Sequence, residues 1–183
     1  KDLRLIICHL GGGISIAAHD HGQAIDANNA LDGEGPFSPE RAGSLPAAAL
    51  IRLCFSGQLT EAELLKRVAG RAGLTEHLGT NNMQEVVRRI EGGDDHARLI
   101  VDAMVWHTAK AIVSEAAVLC GPPDAIILTG GMAHADYVVS RLKRRIGWLA
   151  PVAVYPGQDE MLALAENALT ALKRHTHTDR TAG

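Results

Sequence analysis

Apolar and polar positions change their spacing several times along the chain, and each change predicts an element. Residues 3–10 (LRLIICHL) are almost all apolar, the pattern of a strand buried on both faces. Gly11, Gly12 and Gly13 break the run, and residues 14–18 alternate, so a second strand follows a tight turn. Asp20-His21-Gly22 signals another turn before a third short strand at 23–27. Three strands joined by tight turns predict an antiparallel meander. Residues 28–45 then lose periodicity in a stretch rich in Asn, Asp, Gly, Pro, Ser and Glu. Polar excursions of that length inside a compact domain are functional or disordered.

Helical spacing returns at 46–55, and Thr60-Glu61-Ala62-Glu63 reads as a capping box opening a helix through Leu64, Leu65 and Val68. Residues 70–80 read as a glycine-rich connection, followed by helices at 82–90 and 94–119. The second of these is apolar on nearly every side between Leu99 and Leu119, which predicts burial within the molecule or against a second subunit. After Gly121-Pro122-Pro123 a strand at 125–129 ends on Gly130-Gly131. A helix at 137–146, a strand at 152–155, a helix at 161–173 and a polar tail at 175–183, expected to be disordered, complete the pattern. The order predicts one α/β domain: a three-stranded antiparallel meander continuing into parallel strands with flanking helices.

Composition narrows the function classes. A formal net charge of -3 provides no basic stripe for a nucleic-acid backbone. Neither a signal peptide nor an uncharged apolar run long enough to span a membrane is present, so no membrane partner is expected. Cys8, Cys54 and Cys120 lack Cys-x-x-Cys spacing and sit among apolar neighbours; they read as reduced core residues of a cytosolic protein. The chain starts on Lys1-Asp2, without Met, and enters a strand at once, which reads as a piece of a longer protein.

Two glycine loops carry the candidate chemistry. In His9-Leu10-Gly11-Gly12-Gly13-Ile14-Ser15, consecutive glycines can present backbone N–H groups to phosphate oxygens, or simply make a hairpin turn. A strand follows the glycines, which excludes both a Walker loop and a dinucleotide fingerprint, since each opens a helix. In the second loop, Gly130, Gly131, Met132 and Ala133 follow the strand at 125–129, where a flat ligand can approach the backbone; this too is a common strand-to-helix turn.

Jointly the two loops resemble the phosphate and adenosine motifs of the acetate and sugar kinase, Hsp70 and actin superfamily. The likeness is sharpest to butyrate kinases of the acetokinase family. It rests on the His9 to Ser15 loop, Asn28-Asn29-Ala30-Leu31-Asp32-Gly33-Glu34-Gly35-Pro36-Phe37-Ser38-Pro39-Glu40-Arg41, Leu78-Gly79-Thr80-Asn81 and Tyr155-Pro156-Gly157-Gln158-Asp159-Glu160-Met161. These blocks extend over residues 1–173.

The resemblance implies a ribonuclease H-like (ASKHA) domain at residues 1–174. This would be the C-terminal, nucleotide-binding half of a two-half enzyme, with a helical insertion at about 46–120 and the N-terminal half absent. It implies phosphoryl transfer between ATP and a short-chain carboxylic acid: butyrate plus ATP gives butanoyl phosphate plus ADP, with Mg²⁺, in the cytoplasm, in a homo-oligomer. By resemblance Arg41 is catalytic, meeting charge on the transferred phosphoryl group. His9, Gly11, Gly12 and Gly13 bind phosphate. Asn82, Met83, Gln84, Gly130, Gly131, Met132 and Ala133 bind nucleotide, and Asp159 and Glu160 hold the metal.

Relatives commonly carry Asp and Arg where Asn82 and Gln84 stand, which bears on nucleotide contact. Two alternatives stay open: an acetate or branched-chain (isobutyrate) kinase, and a non-catalytic nucleotide-binding module, for which a transition-state arginine has no use. With one half alone, weak nucleotide binding and no turnover are expected.

Overall fold

The computed structural model describes residues 3–157. Five strands form one sheet: β1 (Arg4–Leu10), β2 (Ile14–Asp20), β3 (Gln23–Ala27), β4 (Ala125–Gly130) and β5 (Val152–Pro156), in the order β3-β2-β1-β4-β5. The glycine turn pairs β1 with β2 antiparallel, closing on Leu10↔Ile14, and β3 continues the meander with a bulge at Ala18/His19. β4 joins β1 parallel, and β5 joins β4 parallel. The meander and its parallel continuation are as the pattern predicts.

Among the described residues six α-helices accompany the sheet: α1 (Ala47–Cys54), α2 (Glu61–Val68), α3 (Gly73–Leu78), α4 (Met83–Glu91), α5 (Asp95–Val118) and α6 (Asp136–Ile146). The core forms where Ile6, Cys8, Leu10, Ile14, Ile16, Ile126 and Leu128 of the sheet meet Val101, Met104, Val105 and Ile112 of α5 and Val138, Leu142 and Ile146 of α6. Burying each of the larger aliphatic side chains contributes about 1.5–3 kcal/mol before entropy is counted. Between α5 and α6, Asp102 accepts from Arg141 Nε at 2.9 Å and Tyr137 OH at 3.3 Å, while the Arg141 guanidinium stacks 3.4 Å from the Tyr137 ring centroid.

Several local expectations need correction. β1 is not buried on both faces: Ile6, Cys8 and Leu10 are buried, whereas Leu5, Ile7 and His9 remain half-buried. An unbroken apolar run cannot show which faces will be covered; the packing of α5 against β1 and β2 decides that. Within this chain α5 buries only part of its circumference, leaving Leu99 65% and Trp106 56% exposed, so the first of the two expected modes of burial is only partly met and a second subunit is not tested. The glycine-rich connection contains α3, whose Leu74 and Leu78, one turn apart, are both buried.

Of the cysteines only Cys8 is in the core, where burial pushes its thiol pKa up. Cys54 and Cys120 are exposed, because α1 buries no residue and Cys120 sits in a left-handed turn (φ 54) after α5. The Thr60–Glu63 capping box of α2 is present. At the α3–α4–α5 junction, Asp94 caps α5 through Ala97 N at 2.9 Å and holds the Arg89 guanidinium, which in turn donates to Leu78 O at 2.8 Å. Among the described residues no helix is long and apolar enough to cross a membrane. The helix predicted at 161–173 and the tail at 175–183 lie outside the described residues.

Candidate functional site

The parallel register of β1 with β4 sets His9 beside Thr129, so the two glycine loops leave the sheet side by side at the carboxyl ends of their strands. Gly130 makes that proximity possible. Its φ is 91°, and a Cβ there would come within 2.6 Å of Leu10 O, so β4 can end against β1 only with glycine at this position. In the first loop Gly11 N–H donates to Gly13 O at 3.0 Å. The His9 imidazole lies over Gly11, its Nε2 3.0 Å from where a Cβ would stand.

The polar stretch after β3 folds back onto this turn, and its side chains explain how. Asn28 substitutes for a strand partner: its Oδ1 accepts from Ile16 N at 2.6 Å, and its Nδ2 donates to Ile14 O at 3.1 Å and Glu34 O at 3.0 Å. Asn29 caps a short 3-10 turn at Ala30–Asp32. Ser38 Oγ donates to Gly12 O at 2.7 Å and accepts from Arg41 N at 3.1 Å, while Glu40 N donates to the same Gly12 carbonyl at 3.0 Å. The result is a cleft of about 470 Å³ lined by His9, the three glycines, Ser15, Asn28 to Leu31, Glu40 and Arg41.

Arg41 is the electrostatic centre of the cleft. Its side chain is 20% exposed, and Nη1 lies 3.6 Å from Glu40 Oε2, too far for a hydrogen bond. Its Nε is buried and has no hydrogen-bond partner. A buried guanidinium donor without an acceptor costs about 1–3 kcal/mol. An anionic oxygen arriving in the cleft relieves that cost and suits the planar fork of donors. The orphaned donor and the glycine cradle fit a phosphate group.

Glu40 Oε1 accepts from Asn81 Nδ2 at 2.6 Å, which ties the cleft to the start of α4. There Asn82 is the N-cap, its Oδ1 accepting from Gln84 N at 3.0 Å and Glu85 N at 3.2 Å. Gln84 is exposed, whereas the side chains of Met83, Met132 and Ala133 are in the core, leaving only their backbones for a ligand. The space around Gly131 is open. Asp159 and Glu160 lie outside the described residues, and among the described residues no group of three or more His, Cys, Asp or Glu side chains is placed to hold a metal.

The structure thus brings His9, Gly11, Gly12, Gly13 and Arg41 into one cleft and sets Gly130 against its rim. Sequence reasoning left Ser38, Glu40 and Asn81 without roles, although all three stand in the quoted blocks. Which acid in an acidic loop faces inward is not encoded in local spacing.

The model of the acetokinase family matches residues 1–150. A probable butyrate kinase of Bacteroides thetaiotaomicron is 65% identical over 94% of this chain and 49% of its own length. Butyrate kinase 2 of Clostridium acetobutylicum is 49% identical over 94% of this chain and 48% of its own. The chain thus spans about half the length of the curated relatives it matches. Among solved structures, an acetate kinase of Porphyromonas gingivalis shares the fold with a TM-score of 0.81 at 22% identity, covering 93% of this chain and 49% of that one. A propionate kinase of Francisella tularensis gives 0.77 at 21% identity, over 86% and 47%. With its meander, its paired glycine loops and its arginine-bearing return loop, the chain belongs to the acetokinase family.

Proposed function

We propose that the chain is the ATP-facing half of a carboxylic-acid kinase that transfers phosphate between ATP and butyrate, or a branched relative such as isobutyrate. The observation that carries this reading is Arg41, a guanidinium with a buried, unpartnered Nε in a cleft walled by three glycines. In phosphoryl transfer, charge spreads over the equatorial oxygens, and positioned donors supply most of the catalysis. On this reading Arg41 meets the transferred phosphoryl group, and His9 with Gly11, Gly12 and Gly13 cradles the phosphates. Asn82 to Gln84 and Gly130 to Ala133 face the nucleoside. Asp159 and Glu160 are assigned to Mg²⁺ by family likeness alone. On this reading most of the acyl pocket belongs to the other half, so the acid is named from the relatives. A cytoplasmic homo-oligomer supplied with ATP is the corresponding setting.

Calorimetric titration of ADP into the 183-residue chain should give weak saturable binding, and the chain alone should form no butanoyl phosphate. In a full-length protein carrying this chain, Arg41→Ala should lower turnover by about a hundredfold or more while ADP affinity holds. Wild-type turnover in that variant would exclude a catalytic Arg41 and favour a nucleotide-binding module.

A further inference from the structure

Glu40 places a negative charge on the wall of a cleft built for anions. Its position is fixed from four directions. Its N–H donates to Gly12 O at 3.0 Å, and its carbonyl accepts from Gly70 N at 2.8 Å. Its Oε1 accepts from Asn81 Nδ2 at 2.6 Å, and the carboxylate lies flat on Gly12, with Oε2 3.0 Å and Oε1 3.6 Å from where a Cβ would stand. A Cβ at position 12 would crowd the Glu40 carboxylate, so glycine there leaves it room to lie against the turn. The neighbouring guanidinium does not neutralise this charge by hydrogen bonding, since Arg41 Nη1 stays 3.6 Å away and Nε is unpartnered. The carboxylate is close enough to oppose an anion seated at Gly12, and its side chain is 35% exposed, so solvent screens it only in part.

We propose that Glu40 is a specificity-determining residue of the cleft: its seated carboxylate sets how much negative charge the glycine turn accepts, and an anionic ligand binds by drawing Arg41 away from it. A nucleotide anchored through its nucleoside can overcome that opposition, whereas a small free anion has only its charge to offer. This deepens the kinase reading and rests on it for the identity of the ligand.

The test is Glu40→Gln, which keeps the shape and the acceptor for Asn81 but removes the charge. Three probes are titrated by calorimetry into the wild-type and variant chains: a non-hydrolysable ATP analogue, adenosine and inorganic pyrophosphate. The analogue and pyrophosphate should bind the variant roughly three- to tenfold more tightly at low salt, with the gain shrinking as salt rises. Adenosine affinity and melting temperature should stay at the wild-type values. A purely structural Glu40 would move adenosine and analogue together; that result, or weaker analogue binding to the variant, overturns the proposal. If pyrophosphate binds and gains while adenosine does not bind, the nucleotide reading fails and the role of Glu40 stands. If neither the wild-type chain nor the variant binds any probe, both fall.

Discussion

Gly73→Ala tests how the cleft is held in place, because Gly73 touches nothing in the cleft except through backbone. It opens α3 with φ at +57°, and a Cβ built there would lie 1.7 Å from Ser38 O and 2.8 Å from Arg41 O. The left-handed backbone alone costs an L-residue about 1–2 kcal/mol. The overlap with Ser38 O cannot be relaxed by a rotamer change, since both partners are main chain. Relief requires the Ser38–Arg41 turn to move away from α3. That motion removes Leu74 N to Ser38 O at 3.2 Å, Thr75 N to Pro39 O at 3.0 Å and Thr75 Oγ1 to Pro39 O at 3.0 Å. At about 1 kcal/mol for each bond, the expected loss is about 4 kcal/mol, a large part of a typical domain's stability. For a chain of this size the melting temperature should fall by about 10 °C.

Gly79→Ala is the matched control. Gly79 has a similar φ of +73° but open space around it, so only the backbone penalty applies, about 1 kcal/mol or about 3 °C. Thermal denaturation of the two variants gives the comparison, and titration with the ATP analogue provides a second readout. Gly73→Ala should weaken binding because Ser38, Glu40 and Arg41 move together, while Gly79→Ala should leave it unchanged. Equal melting temperatures for the two variants would refute the steric argument. A destabilised Gly73→Ala that binds normally would refute the link from α3 to the cleft.

Asn28→Asp swaps a two-donor amide for a carboxylate facing Ile14 O and Glu34 O, so about 2–3 kcal/mol should be lost in chemical denaturation, with weakened analogue binding; Asn28→Ala should cost less. Glu115, buried on α5 with Oε2 unpartnered, has its pKa raised by desolvation and then by the nearby charge of Asp26. The folded form therefore holds the proton more tightly than the unfolded chain, and stability falls as pH rises from the unfolded value through the folded one. Glu115→Gln should raise the melting temperature at neutral pH, with the gain fading as the pH falls into the ordinary carboxylate range. A gain that is constant with pH would assign it to packing.

The hydrophobic pattern by itself determined the order and type of most elements. Alternation in 14–18, the glycine break before it and the turn at 20–22 specify a meander from neighbouring residues alone, as does the capping box at Thr60 for α2. The family was also legible, because the return loop that carries Arg41 is a contiguous block. Tertiary structure decided what depends on which surfaces meet. It exposed Leu99 and Trp106 on a helix whose small and apolar residues hide its buried face, and it left Leu5 and Ile7 half-covered. It folded α3 out of a glycine-rich stretch because Gly73 fits against Ser38. It also drew Glu40, Asn81 and Gly12 together across about seventy positions of sequence. Local periodicity reports on neighbours three or four residues away, and a charge seated by a distant amide leaves no trace in it.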